Sequence, residues 1–223
     1  MSEEDKIIEQ FVNKVGEWMD SNYRADTIHV TSLVYDCARK VWYERKKVKQ
    51  VPLTADPEGL FRMWIGTKLH ETPLTEYHET PLSWLIYGEN VTGTIDEIFE
   101  IDGKKILIDK KFVGYIPNMI RDHYLKQIQI YAVMLNDIKG IKVDKIGILY
   151  SMPIVDYKTN PRNKVYLVDF TDEMLNQTRK EMFDLVSKVS EGLKTDTLPP
   201  KNVTWYCKYC LYKDICDKEE KGI

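Results

Sequence analysis

Apolar positions along the chain change period several times, and each change marks an element. Ile7, Ile8, Phe11, Val12, Val15 and Trp18 recur at helical spacing and predict a helix over 4–21. A second helix is expected over 31–49, opened by Thr31 or Ser32 as its cap, and a third over 58–71, ending near Pro73. Residues 82–87, 91–101 and 105–112 read as strands, and 117–137 as a long amphipathic helix. Strands near 145–152 and 164–170 follow, joined by a polar loop containing Asn160-Pro161-Arg162-Asn163. Thr171 and Asp172 start a helix to about residue 193, and Thr195 to Pro200 form a stiff linker into a cysteine-rich tail. No internal repeat is visible. Helices, strands, helix, strands, helix in that order predict an α/β fold with a mixed central sheet flanked by helices.

The turn inside the second and third strands fixes chemistry as well as shape. Asp102-Gly103 between two β-rich runs is a two-residue hairpin signal. It sets Ile101 opposite Lys104, Phe99 opposite Ile106 and Asp96 opposite Asp109. Facing carboxylates about 5 Å apart repel unless something neutralises them, and a divalent cation with oxygen ligands is the simplest candidate. Lys111 projects from the same strand face as Asp109. Two acids and a lysine on one spot point to metal-dependent phosphodiester chemistry, although the D…DxK spacing alone also arises by chance.

Composition narrows the setting. The 223 residues are 43% hydrophobic and 30% charged, as in an ordinary globular protein, with net charge −3. Nucleic-acid contact must therefore come from local basic patches. The apolar runs are too short to span a membrane, and the polar, acidic N-terminus is unlike a secretory signal, so a cytoplasmic location is expected. In a reducing compartment, Cys37, Cys207, Cys210 and Cys216 favour metal ligation over disulfides.

Four further groups carry chemistry. His123, Gln127 and Tyr131 share one helical stripe, where an amide and a phenol can orient a phosphate or the lysine. His70, in Gly66-Thr67-Lys68-Leu69-His70-Glu71, can serve as an imidazole ligand, with Gly66 letting a neighbouring element approach. Four thiolates suit zinc or an iron–sulfur cluster, with Trp205, Tyr206, Tyr209 and Tyr212 placed to shield it. Joining residue 37 to the tail closes a loop worth about 5 kcal/mol in the chain-entropy account. Arg39, Lys40, Trp42, Tyr43, Arg45, Lys46, Lys47 and Lys49 interleave positive charge with aromatics, as a single-stranded nucleic-acid track does. A solvated helix face has the same composition.

Taken in order, Ser32…Cys37, GTxxHE at His70, GTID at Asp96, DxK at Asp109 and Lys111, QxxxY at Gln127 and Tyr131, and CxxCx5C resemble one family. This is the RecB-type branch of the PD-(D/E)xK nucleases, specifically the CRISPR-associated Cas-four family; the nuclease domain of AddB is similar. The resemblance spans about residues 27–218, and its most specific part is the bracketing cysteine set. Asp109 departs from it mildly, since many members carry glutamate there.

The resemblance implies a PD-(D/E)xK core over 58–193 and a discontinuous cluster subdomain from 31–50 and 200–218, after an N-terminal helical segment 1–30. It implies a DNA exonuclease, with endonuclease action also open, on single strands or frayed ends, using Mg²⁺ or Mn²⁺. His70, Asp96, Asp109 and the Lys110 backbone carbonyl would hold the metal, Lys111 would act on the attacking water, and Gln127 and Tyr131 would position it. Cys37, Cys207, Cys210 and Cys216 would hold an iron–sulfur cluster, of 4Fe–4S type in preference to 2Fe–2S. The resemblance implies trimming of DNA for CRISPR spacer acquisition beside integrase subunits, and leaves an oligomer open. The alternative is a silent module that binds DNA ends or adapts an integrase.

Overall fold

The computed structural model describes residues 2–21, 26–48, 57–70, 73–152 and 163–220. Lys49, Glu71 and the loop residues Asn160, Pro161 and Arg162 lie outside them. Helix α1 (Glu3–Ser21) leads to a two-residue strand β1 (Ile28–His29), a short helix α2 (Val30–Leu33) and helix α3 (Ala38–Arg45). Helix α4 (Pro57–His70) precedes strands β2 (His78–Ile86), β3 (Glu89–Ile101) and β4 (Lys104–Phe112). Helix α5 (Asp122–Met134), prolonged by a π-helical turn over Leu135–Lys139, crosses to β5 (Lys145–Ser151) and β6 (Asn163–Asp169). Helix α6 (Asp172–Thr195) leads to a 3₁₀ turn (Trp205–Tyr209) and helix α7 (Lys213–Glu220). No described helix is long and apolar enough to cross a membrane.

The described strands form one mixed sheet: β2–β3, β3–β4 and β5–β6 are antiparallel, while β4–β5 and β1–β3 are parallel. The parallel β4–β5 pair requires a crossover, which α5 supplies while packing on both strands and on α6. The core joins Ile95, Ile98 and Leu107 of the hairpin to Ile146 and Ile148 of β5, and to Ile128, Val133, Val186 and Val189 of the two long helices. Thr171 caps α6 as expected, accepting from the Met174 amide at 3.2 Å.

The β3–β4 turn matches its expected form. Asp102 and Gly103 have φ of 51° and 71°, and the ladder runs from Ile101 opposite Lys104 to Glu97 opposite Ile108. Asp96 and Asp109 stand one step beyond the last ladder pair, in the same register.

Three elements differ from expectation, the first being helix α5, which starts at Asp122, five residues after the expected 117. The helix over 31–49 is broken: α2 stops at Leu33, Asp36 turns the chain at φ 50°, and α3 restarts after Cys37. The break sets Cys37 at the N-cap of α3 and lets Asn202 of the tail donate to the Asp36 carbonyl at 2.7 Å. Strand β2 begins four residues before the expected start, running through Pro81. It is an edge strand, where a missing amide is tolerated.

Candidate active site

Three strands bring three carboxylates into one row. His78 pairs with Glu97 and Thr80 with Ile95, so Glu79 of β2 stands opposite Asp96 of β3, and Asp96 in turn opposite Asp109 of β4. Helix α4 ends over this row, with His70 Nδ1 3.2 Å from Asp96 Oδ1 and 3.4 Å from Glu79 Oε1. His70, Glu79 and Asp96 offer ligand atoms all within 4.8 Å of one another. Asp109 is outside that trio: its buried Oδ2 is 2.8 Å from Lys111 Nζ, an ion pair off hydrogen-bond angles. Glu79 is the site residue that the sequence reading missed. Counting back from the Tyr87-Gly88 turn, where Ile86 pairs with Glu89, would have placed it opposite Asp96.

The charges in this row perturb one another. Burial pushes the Asp109 carboxyl up to about 6; Lys111 opposes this and Asp96 adds to it. Burial also raises Glu79, with Asp96 adding. Burial works against a charge on His70, but Asp96 outweighs it and raises the imidazole above its ordinary value. Lys111 is likewise disfavoured by burial, yet Asp109 and Asp96 hold it above the usual lysine range. Glu79 Oε1 and Asp109 Oδ2 are buried without a hydrogen bond. Hard oxygens in that state beside an imidazole fit a divalent cation.

Gln127 and Tyr131 of α5 stand behind the lysine. Gln127 Nε2 donates to Tyr131 Oη at 3.4 Å, and burial, with the Asp109 charge, pushes that phenol up to about 12. Tyr131 can come this close because residue 93 is glycine: a Cβ there would lie 2.5 Å from the Tyr131 ring and 2.9 Å from Val30 Cγ2. Gly66 has no such role. A Cβ there would meet open space, because this residue lines the cleft over the site. That cleft, about 850 Å³, has His70, Lys111 and Gln127 together with Tyr35, Tyr115, Arg121, His123 and Tyr124 in its walls.

The opposite face of the same strands anchors the row. Glu97, fully buried, accepts from the Leu74 amide (3.1 Å), the Thr75 amide (3.0 Å), Thr75 Oγ1 (2.8 Å) and Lys110 Nζ (2.9 Å), and bonds His78 Nδ1 (2.9 Å). Lys110 Nζ also reaches the His70 carbonyl at 3.5 Å. The connection from His70 to Glu79 is thereby tied to the strand pair that carries Asp96 and Asp109. The Lys110 amide donates to Asp96 Oδ2 at 2.5 Å.

The profile of the PD-(D/E)XK nuclease superfamily matches residues 5–217. The chain belongs to this superfamily. Among solved structures, this PD-(D/E)XK chain is similar to the crystal structure of SSO0001, at 22% identity and a TM-score of 0.61, over 94% of this chain and 96% of that one. LHK-Exo, solved in complex with dAMP, aligns at 15% identity and a TM-score of 0.47, over 79% of this chain and 97% of that one. No curated protein matches the sequence.

Away from the PD-(D/E)XK row, Cys37, Cys207, Cys210 and Cys216 line one small cavity, unlinked by disulfides, together with Arg39, Lys40, Lys201 and Lys213. Arg39 Nη1 donates to Cys216 Sγ at 3.6 Å and the Thr204 amide to Cys207 Sγ at 3.4 Å. The flanking aromatics divide. Tyr212 is buried against Tyr43 and Tyr206 stacks on Tyr35, but Trp205 and Tyr209 face solvent rather than shielding the cysteines.

The basic stretch does not present a continuous solvent-facing track. Tyr43 is buried, and Lys40, also buried, pairs with Glu44. Arg39 donates to the Pro199 carbonyl and Arg45 pairs with Glu89. Lys46 and Lys47 pair with Asp196 and Asp26, and Lys46 covers the Trp42 ring. Composition alone does not disclose partners such as Glu89, Asp196 and Pro199, which lie far off in sequence. None of these residues lines the cleft over the site; His123 of α5, a candidate DNA contact by its place on the helical stripe, does.

Proposed function

We propose that the protein is a divalent-metal-dependent DNA nuclease acting on single strands or frayed ends. The observation that carries this reading is the row Glu79–Asp96–Asp109 beneath His70, with Lys111 held against Asp109. His70, Glu79 and Asp96 would hold Mg²⁺ or Mn²⁺, joined by Asp109 and the Lys110 carbonyl. The cation supplies Lewis acidity to the scissile phosphate and acidity to an attacking water. Lys111, over the Tyr124 ring at 5.1 Å, orients that water and meets charge developing on the phosphate. Gln127 and Tyr131 position the lysine and its strand.

The four cysteines would hold an iron–sulfur cluster with a structural role, joining the start of α3 to the tail. Basic side chains around the cavity suit four thiolates. In this reading the enzyme trims DNA for CRISPR spacer acquisition beside integrase subunits.

The test is Mn²⁺-dependent cleavage of end-labelled single-stranded DNA by anaerobically purified wild type beside Asp109→Ala. Cleavage by wild type alone supports the reading, and cleavage by neither, with DNA still bound, overturns it.

A further inference from the structure

We infer that Trp205 and Tyr115 are stacking platforms for unpaired bases, which makes the nuclease proposed above, on which this inference rests, selective for strands with bases splayed out. Large aromatics left exposed offer apolar area to a ligand that can stack on them. Trp205 is 56% exposed and Tyr115 65% exposed. The tail is tied to the body by other groups: Tyr206, stacked on Tyr35 with ring centroids 3.6 Å apart and planes 13° apart, Tyr212 against Tyr43, and Asn202 on the Asp36 carbonyl. Trp205 meets that stack in T-shaped contacts, 6.3 Å from Tyr35 and 5.9 Å from Tyr206 by ring centroid, with Tyr209 at 6.4 Å, and more than half of its surface stays open to solvent.

Its position is continuous with the active site. The Trp205 ring lies 5.7 Å from His123, His123 lies 4.1 Å from Tyr124, and Lys111 Nζ sits 5.1 Å from the Tyr124 centroid. An aromatic run thus leads from solvent to the lysine beside Asp109. Tyr115 lines the same cleft with the Arg121 guanidinium 5.2 Å from its ring centroid. An exposed ring beside a cation matches a nucleotide, which offers a base face and a phosphate together. Paired bases keep their faces stacked inside the duplex, so only an unpaired strand can use these platforms.

The test is fluorescence anisotropy with Ca²⁺ in place of Mn²⁺, using a single strand, its duplex, and the same strand with several abasic tetrahydrofuran units. Wild type should prefer the single strand. Trp205→Ala should weaken that binding about five- to a hundredfold, leave the abasic strand within about twofold, and be largely rescued by Trp205→Phe. Tyr115→Ala should behave alike, and it keeps the test decisive if the Trp205 variant does not fold. Equal losses on intact and abasic strands, no loss on either, or a wild-type preference for duplex would each overturn the platforms. If wild type cleaves DNA and these variants bind normally, the platforms fail and the nuclease stands. If wild type neither binds nor cleaves, both fail.

Discussion

Replacing Glu97 by glutamine should be among the costliest single changes to the fold. Oε1 takes the Leu74 amide, His78 and Lys110, and Oε2 takes both donors of Thr75. An amide nitrogen in the Oε2 place meets two donors, and in the Oε1 place an ammonium. Either way the Lys110 charge, almost fully buried, loses the Glu97 carboxylate. Breaking a buried pair from one side costs about 3–5 kcal/mol. For a chain of this length each kcal/mol lowers Tm by about 2–4 °C, so a fall of about 6–20 °C is expected. Calorimetry and urea unfolding on metal-free protein would measure it, and Glu97→Gln/Lys110→Met should recover part. The pH dependence has a definite sign. Burial pushes the Glu97 carboxyl up, but Lys110, Thr75, His78 and Leu74 outweigh it and hold it below the ordinary range. A depressed carboxyl contributes above its unfolded pKa, about 4.3, and the contribution is lost as pH falls through the folded value. The gap between wild type and variant should therefore be full at neutral pH and close in acid. A variant within about 1 kcal/mol of wild type at pH 7 would refute this reasoning.

Other changes have separate readouts. Asp109→Asn and Lys111→Ala should each lower cleavage about a hundredfold or more while DNA affinity changes little; equal loss of both would count against the assignment. Cys210→Ala should remove visible absorbance and lower Tm, and a fully coloured variant would mean that Cys210 is not a ligand. Gly93→Ala places a methyl 2.5 Å from the Tyr131 ring, so a loss of about 1–3 kcal/mol is expected, measured by urea titration, with Gly114→Ala as a neutral comparison because its Cβ meets open space.

The hairpin was legible because Asp102-Gly103 is a turn whose chemistry is local, and one turn sets every pair along two strands. That made the relation of Asp96 to Asp109 readable without a structure. Glu79 was not readable by apolar alternation, because Pro81 interrupts the edge strand that carries it. The break at Asp36 was hidden for a related reason: a left-handed turn at aspartate leaves no glycine or proline to mark it. The partners of the basic stretch, such as Glu89 and Asp196, were not legible because counting charges says nothing about what tertiary packing supplies. His70 was named from a motif, but its closeness to Glu79 depends on a connection that Glu97 holds from beneath the sheet.

The two tight turns, Tyr87-Gly88 and Asp102-Gly103, act as the zero marks of a ruler. Side chains alternate with a period of two, so a one-residue slip of register at either turn would send a carboxylate to the far face and carry the core side chains of that strand, such as Leu107, with it. Such a protein would lose part of its core together with its site. Among descendants of this sequence, changes of length should thus be purged from these two turns.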